Sequence, residues 1–249
     1  MMRSKFAWIA IFVLFLALGC EKTARPLSSL GSNGKTVGEA SNDLLSAKRF
    51  TRLVIEIDYM PGMRPTTEAV NNLKEMLLQR VNKPDGIDFS MNEIPSGNRE
   101  VYTLDQIKDI ELANRGQFNS GSTIGAYFLF LDGEFESSNT LGIAYRNTSM
   151  CIFQDVILNN SGGLLQPSTP TLETVVLNHE FGHIMGLVAI GSPMQRPHRD
   201  TPNGAHCVNE NCLMYFQVET TDFIGNLVNR PVPGFDQDCI NDLRANGGK

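Results

Sequence analysis

The 249-residue chain lacks an excess of basic residues, a long apolar segment and any internal repeat. Its 21 Lys and Arg residues are outnumbered by 27 Asp and Glu residues, so the formal net charge is −6 at pH 7. This balance gives no support to nucleic acid or an anionic surface as a partner. The length suits one compact domain with an export segment, or at most two small domains.

The N-terminal apolar run is too short to cross a membrane. It covers residues 6–18, is preceded by two basic residues and is followed by Gly19. A membrane-spanning helix needs about 20 apolar residues. A basic start, a short apolar core and a small residue at the end are typical of an export signal. We therefore predict a signal peptide over residues 1–19.

The end of this run, Ala17-Leu18-Gly19-Cys20, resembles the lipobox of bacterial lipoproteins, with the leucine one place nearer the cysteine than usual. In that family the cysteine is acylated on sulfur and becomes the mature N-terminus. The resemblance implies that Cys20 carries a lipid. The protein would then be exported and anchored to a bacterial membrane, facing the periplasm or the cell exterior. The alternative is an ordinary secretory signal with an incidental cysteine.

Residues 20–48 contain serine and glycine, few aromatic residues and no periodic apolar pattern. Such a composition is typical of a flexible linker, because the segment has too little apolar surface to bury. We predict that residues 20–48 form a flexible tether between the lipid and a folded domain over residues 49–249.

Strand-like and helix-like patterns alternate along the predicted domain. Runs rich in apolar and β-branched residues predict strands at residues 53–58, 87–94, 124–131, 141–145 and 150–157. Apolar residues at a helical period predict a helix at residues 66–81. Further helices are predicted at residues 104–112, after Thr103 as N-cap, at residues 169–187, where Pro170 suits the first turn, and at residues 236–246. Interleaved strands and helices predict an α/β (α+β) fold, in which a sheet packs against helices.

The helix predicted at residues 169–187 contains His179-Glu180-Phe181-Gly182-His183. Residues four apart share one face of a helix, so His179 and His183 can bind one Zn²⁺ ion at about 2.0–2.1 Å. Glu180 is displaced around the helix and can reach a water on the ion, whose pKa zinc lowers to about 7. The spacing predicts zinc-assisted hydrolysis with Glu180 as general base. The alternative is two core-facing histidines and a surface glutamate.

The segment around this motif resembles the metzincin clan of zinc peptidases, whose longer motif adds Gly-x-x-His after the second histidine. Gly186 stands at the glycine position, but Ala189 stands at the next ligand position and cannot bind zinc. The later segment His206-Cys207-Val208-Asn209-Glu210-Asn211-Cys212-Leu213-Met214 resembles the archaemetzincin branch. In that branch a histidine precedes Cys-x-x-x-x-Cys-x-Met.

The resemblance implies a twisted mixed sheet packed on helices, with a zinc-binding active-site helix and a Met-turn. It also implies a loop inserted at about residues 188–205, His206 as the third zinc ligand and Met214 as the Met-turn residue beneath the metal. His198 and Asp200 stay open as alternative third ligands, because both residue types bind zinc. If His198 is not a ligand, we expect it to be a solvated, more mobile loop residue.

Archaemetzincins hold a second, structural zinc with four cysteines. Cys207, Cys212 and Cys239 match three of them, and Asp236 stands at the place of the fourth. Both a second metal and a disulfide among the three cysteines stay open, because disulfides form outside the cytoplasm. Cys151 lies in a predicted apolar strand and is expected to be buried.

These observations predict a zinc-dependent endopeptidase that acts on protein or peptide substrates at a cell surface. The strand at residues 142–145 is the predicted edge strand, where an extended substrate can add to the sheet. One alternative is a non-catalytic, zinc-containing binding lipoprotein, against which the intact Glu180 argues. Another alternative is a zinc hydrolase of a non-peptide amide, which nothing in the sequence excludes.

Overall fold

A five-stranded sheet forms the centre of the fold. The computed structural model describes residues 26–228 and 230–249 of the chain. In chain order, its strands are β1 (Arg52–Tyr59), β2 (Ile87–Glu93), β3 (Val101–Tyr102), β4 (Thr123–Leu131), β5 (Glu134–Phe135), β6 (Gly142–Arg146) and β7 (Ser149–Phe153). The central sheet has the order β2-β1-β4-β7-β6, and β3 pairs with β5 in a separate ribbon. Four strands of the sheet are parallel, and β6 is antiparallel to β7 at one edge.

The described chain has six α-helices, four of which begin at a residue whose side chain accepts a backbone N–H. They are α1 (Ser41–Leu45), α2 (Thr67–Arg80), α3 (Leu104–Asn114), α4 (Gln154–Asn159), α5 (Thr169–Ile184) and α6 (Gln237–Ala245). The Thr66 hydroxyl accepts the Ala69 N–H at 3.3 Å in front of α2, and the Ser168 hydroxyl accepts the Thr171 N–H at 3.3 Å in front of α5. Such caps satisfy N–H groups that lie beyond the reach of helical carbonyls.

The sheet is buried on both faces. Residues 124–131 of β4 are all buried, as expected for a central parallel strand covered by helices. One face contributes Phe128 to a core shared with Val176 of α5. The opposite face contributes Leu129 to a core shared with Ile107 of α3. The predicted α/β fold, a mixed and mostly parallel sheet packed on helices, is thereby confirmed.

The strand predicted at residues 150–157 is too long. β7 ends at Phe153, and α4 begins at the next residue. A short apolar run does not distinguish a strand from a helix. Here Ile157 is a buried residue of α4 and not of the sheet, and Val156 packs against both cores.

The helix predicted to reach residue 187 ends at Ile184. Gly186 adopts a φ of 82°, in the left-handed region that favours glycine, and the Leu187 N–H donates to the Gly182 carbonyl at 3.2 Å. A Cβ atom at position 186 would lie 2.4 Å from the Ser192 backbone nitrogen. Both the dihedral angle and the close approach therefore require glycine at this helix end.

The flexible tether predicted at residues 20–48 is wrong for its described part. A kinked pair of 3-10 turns (Leu27–Gly34) and α1 precede the sheet, and both bury side chains in the domain. Leu30 and Leu44 are buried, and Asn33 donates to the Gly125 carbonyl of β4 at 2.9 Å. The error arises because composition does not report the apolar surface that the rest of the domain offers to a segment.

The predicted signal peptide at residues 1–19 and the lipidation residue Cys20 lie outside the described residues. Within the described part of the chain, no helix combines the length and the apolar content that crossing a bilayer requires.

Candidate metal centre

The active-site helix predicted from the sequence is α5, and it is buried along most of its length. Every residue from 172 to 184 is buried, and the exposed fraction of both His179 and Glu180 is 0%. The helix packs against α2, β6, β7 and the 3-10 helix Phe216–Glu219. Buried polar side chains are normally satisfied by hydrogen bonds or ligands. The polar residues of α5 therefore need partners from other parts of the chain.

Three histidine rings lie next to one another. The Nε2 atoms of His179 and His183 lie 3.0 Å apart. The ring centroid of His206 lies 5.4 Å from that of His179 and 5.0 Å from that of His183. His206 therefore lies beside His179 and His183 of α5, although a loop separates it from them in the sequence.

Main-chain carbonyls orient two of these rings. The Nδ1–H of His179 donates to the Leu213 carbonyl at 2.7 Å, and the Nδ1–H of His206 donates to the Asn203 carbonyl at 2.6 Å. A carbonyl only accepts, so each Nδ1 carries a proton, and in the neutral ring each Nε2 keeps its lone pair. This is the arrangement that orients a metal-binding histidine.

Glu219, which no sequence pattern indicates, approaches the same three Nε2 atoms. One carboxylate oxygen of Glu219 lies 3.6 Å from the Nε2 of His179, 3.8 Å from that of His183 and 3.5 Å from that of His206. One ligand atom from each of the four residues falls within 4.8 Å of the others. We call these four residues the histidine cluster.

The histidine cluster fits a metal ion. Nitrogen ligands at 2.0–2.1 Å from a tetrahedral zinc are about 3.3 Å apart, and the two helix nitrogens are 3.0 Å apart. At that distance the two Nε2 atoms form a hydrogen bond if His183 carries its proton on Nε2, and they can share a cation if it does not. The buried Nε2 of His206 has no hydrogen-bond partner among the described residues. A shared cation would give all three nitrogens a partner.

Burial and charge set the protonation of this site. Burial lowers the pKa of His183 to about 4, so its imidazole is neutral at pH 7 and can act as a ligand. Burial alone would raise the pKa of Glu219, but its contacts with the three histidines outweigh burial and lower that pKa. Burial and the Glu219 charge raise the pKa of Glu180 well above its ordinary value, against the effect of the Ala144 backbone amide.

Glu180 lies where α5 meets the edge strand β6. A Cβ atom at Gly142, the first residue of β6, would lie 3.0 Å from a Glu180 carboxylate oxygen and 2.7 Å from a Val176 methyl group. Neither Glu180 oxygen has a hydrogen bond of standard geometry within the described residues. The Ala144 backbone amide is the one group of β6 that acts on this carboxylate, and the contact falls short of standard hydrogen-bond geometry.

The predicted Met-turn residue lies against the same helix. Met214 is fully buried, and its sulfur occupies the space next to Gly182 of α5. The preceding residue, Leu213, supplies the carbonyl that orients His179. The chain around Met214 therefore both packs against the helix and positions one of its histidines.

The two alternative third ligands do not join the histidine cluster. Asp200 is half-buried and accepts the Asn203 amide at 2.7 Å. His198 is 4% exposed, so the expectation of a solvated and mobile residue is wrong. Its Nε2–H donates to the Asp242 carboxylate at 2.8 Å, and this contact to α6 fixes the ring.

His198 belongs to a second cluster instead. Its Nδ1 lies 3.4 Å from the Cys207 sulfur and 3.9 Å from the Cys239 sulfur. A carboxylate oxygen of Asp236 lies 3.3 Å from the Cys207 sulfur. One ligand atom from each of these four residues falls within 4.8 Å of the others, and we call them the cysteine cluster.

Cys212 lies beside the cysteine cluster, with its sulfur 3.6 Å from that of Cys239. Its thiol hydrogen bonds with Cys207 and Cys239 lower the pKa of Cys212 to about 4. Cys151 is buried in β7, as expected. Within the described residues, these four cysteines are free thiols.

Two features of the site escaped the sequence reasoning. Glu219 follows the Met-turn region at no recognisable spacing, so nothing in the chain pointed to it. His198 and Asp236 are far apart in the sequence, and the place of Asp236 at a cysteine position is the one signal that connects it with the cysteines. Their meeting depends on the contact between the loop and α6.

Comparison with known proteins returns distant likenesses. No family model matches the chain, and no curated protein matches it. Among solved structures, archaemetzincin from Methanopyrus kandleri is 17% identical, with 79% of this chain and 96% of that chain covered and a TM-score of 0.49. Metalloproteinase-II from Bacteroides fragilis is 13% identical, with 88% of this chain and 59% of that chain covered and a TM-score of 0.44. Both TM-scores are below 0.5, so the function has to be argued from this chain's own residues.

Proposed function

We propose that this protein is a zinc-dependent endopeptidase that hydrolyses peptide bonds in protein or peptide substrates. The observation that carries the proposal is the convergence of three buried histidine Nε2 atoms beside the buried carboxylate of Glu180, which has no hydrogen bond of standard geometry among the described residues. A buried polar group without a partner costs about 1–3 kcal/mol. The arrangement is therefore poorly explained by stability and well explained by a bound ion and a reacting substrate.

In this proposal His179, His183 and His206 hold the ion. When bound, Zn²⁺ supplies a Lewis acid that polarises the scissile carbonyl and lowers the pKa of a water to about 7. Glu180 accepts the proton that the attacking water loses and returns it to the leaving nitrogen. Burial by α5 and β6 keeps bulk water from the Glu180 carboxylate and so strengthens its interactions.

The edge strand β6 is the proposed place for substrate. It pairs with β7 on one side and is an outer strand of the sheet. An extended peptide gains main-chain hydrogen bonds by adding to such an edge. Because β6 begins at Gly142 against Glu180, a peptide on this strand would pass close to the general base.

We also propose that the cysteine cluster holds a second, structural zinc. A nitrogen and a sulfur on one tetrahedral zinc are about 3.6 Å apart, since the bonds are about 2.0 and 2.3 Å. The contacts of His198 with the sulfurs, at 3.4 and 3.9 Å, lie on either side of that value. Asp236 would supply the oxygen ligand in place of a cysteine.

Export and lipid attachment through Cys20 complete the proposal. Their support is the sequence alone: a basic start, a short apolar run and a lipobox-like ending. Anchoring would confine the peptidase to substrates at a bacterial membrane surface.

The experiment that tests the function compares Glu180→Gln with the wild-type chain. We expect the variant to keep its zinc and to lose cleavage of casein by at least about 100-fold, because an amide cannot accept the proton. Metal content and cleavage are measured side by side. Glu68→Gln, at an exposed position of α2, is the matched control and should behave as wild type.

Three other outcomes would lead to different conclusions about the function. Unchanged turnover in Glu180→Gln would remove that residue from the mechanism. A wild-type protein that binds zinc but cleaves no peptide would favour the binding lipoprotein. Cleavage of a small non-peptide amide without cleavage of casein would favour the other hydrolase.

A further inference from the structure

Glu219 contributes the one carboxylate of the histidine cluster, and its position is central rather than peripheral. A single oxygen of this residue lies within 3.5–3.8 Å of all three Nε2 atoms. A carboxylate that merely paired with one histidine would approach that ring and leave the other two at larger distances. The oxygen instead lies over the triangle that the three nitrogens form.

This position is the fourth corner of a tetrahedron. Ligand atoms on a tetrahedral zinc, at bond lengths of 2.0–2.2 Å, are separated by about 3.3 Å. Four of the six distances among the ligand atoms, from 3.0 to 3.8 Å, lie on both sides of that value, and the other two are within 4.8 Å. A catalytic zinc keeps its fourth position open for water or substrate. An oxygen of Glu219 and a water cannot occupy the same corner.

We propose that Glu219 is a fourth metal ligand that closes this site, so that the metal-loaded protein rests in a latent state. The inference depends on the proposed function, because it takes the histidine cluster as the catalytic metal centre. It adds that the chain carries its own inhibitory ligand within the folded domain. Activity then requires the Glu219 side chain to swing away from the three histidines.

The segment that carries Glu219 is suited to such a change. Glu219 ends the 3-10 helix Phe216–Glu219, and a second 3-10 helix (Thr221–Leu227) follows. Short 3-10 helices have poorer hydrogen-bond geometry than α-helices. The side chain is 30% exposed, so part of it borders solvent, toward which the proposed rotation would carry the carboxylate.

The same segment is attached to the entry of the edge strand. The Leu141 N–H donates to the Glu219 carbonyl at 2.8 Å, and the Thr221 N–H donates to the Asn139 carbonyl at 3.0 Å. Residue 141 immediately precedes β6. A peptide that adds to β6 would therefore meet the chain that holds Glu219, and substrate binding would be linked to release of the ligand.

The test measures ligand exchange at the metal as well as activity. The full chain is loaded with Co²⁺, and azide is titrated while visible absorption is followed. In wild type, azide has to displace Glu219, whereas in Glu219→Ala the corner is free. We expect azide to bind the variant at least about 10-fold more tightly and zinc to bind it at least about 10-fold more weakly, since loss of even an outer partner of a metal site costs 10–100-fold in affinity. Casein cleavage per bound zinc should rise.

Two control variants show whether the azide response comes from the metal at the histidine cluster. Glu210→Gln changes an exposed carboxylate near the site and should bind azide and zinc as wild type does. His183→Ala should abolish the azide response, because it removes a ligand of the histidine cluster and leaves the cysteine cluster unchanged.

The outcomes separate the two proposals. If Glu219→Ala binds azide and zinc as wild type does, Glu219 is not a ligand and the inference is overturned. If azide affinity is unchanged while cleavage falls, Glu219 assists catalysis rather than blocking it, which also overturns the inference. If wild type and His183→Ala give the same metal content and azide response, the histidine cluster is not a metal centre, and the proposed function fails with it.

Discussion

Met214 lies directly against Gly182 on α5, so closely that a Cβ atom at position 182 would come within 2.4 Å of the Met214 sulfur. The same atom would lie 3.1 Å from the ring of Phe235. Gly182 directly precedes His183, a member of the histidine cluster. The fit of methionine against glycine therefore determines how closely the turn approaches the histidine-bearing helix.

The first prediction concerns this contact. Gly182→Ala should reduce the free energy of unfolding by about 1–3 kcal/mol, because an added methyl group overpacks a buried site. Zinc affinity should also fall, since the helix must move relative to Leu213, whose carbonyl orients His179. Thermal unfolding and chelator competition measure the two effects. Gly234→Ala is the matched control, because a Cβ atom there meets nothing within 4 Å. Equal stability of both variants would show that the Met214 side chain can move aside at little cost in free energy.

The second prediction distinguishes the third ligand from its neighbour. His206→Ala should lower zinc affinity at the histidine cluster by at least about 10-fold and abolish casein cleavage, because it removes a ligand. His198→Ala should leave that affinity nearly unchanged. It should instead weaken zinc binding at the cysteine cluster, of which His198 is a member, and lower stability by at least about 1–3 kcal/mol, because it also leaves the buried Asp242 carboxylate without this hydrogen bond.

Zinc titration after chelation and thermal unfolding are the measurements for this pair of variants. If His198→Ala empties the catalytic site while His206→Ala leaves it filled, the assignment of the third ligand is wrong. The loop would then supply the ligand in solution.

The third prediction separates a metal from a disulfide at the cysteine cluster. The domain denatured with chelator, but without reductant, should release four reactive thiols, from Cys151, Cys207, Cys212 and Cys239. A disulfide among them would give two fewer. The native protein should hold a second zinc, and Asp236→Asn should weaken its binding while the first zinc stays in place.

Cys212→Ser is the comparison for this experiment. Cys212 lies beside the cluster, 3.6 Å from Cys239, and is not one of its four members. We expect Cys212→Ser to retain the second zinc more fully than Asp236→Asn does. The reverse order would assign the fourth ligand to Cys212.

The fourth prediction concerns the N-terminus. In a bacterial host, the mature wild-type chain should begin at Cys20 and carry acyl groups, which mass spectrometry of the N-terminal peptide detects. Cys20→Ser should yield uncleaved precursor or a soluble product, because serine offers no thiol for lipid transfer. An unmodified wild-type chain that begins at another residue would contradict lipidation.

Several features of this protein were determined by the sequence itself. Runs of apolar and β-branched residues placed the strands of the central sheet, because both faces of the sheet are buried, and a helical apolar period placed α2. The four-residue interval between His179 and His183 placed both on one face of α5, because residues four apart share one face of a helix. Ser168 and Gly186 set the ends of that helix through a cap and a left-handed dihedral angle.

Other features were decided only by tertiary structure. Glu219 meets the three histidines, and His198 meets Asp236 and the cysteines, across long irregular connections without any period. The segment before residue 48 packs on the domain although its composition is that of a linker. In each case the contact depends on surfaces contributed by distant parts of the chain. Local sequence carries the chemical type of a residue, but it does not carry the position of its partner.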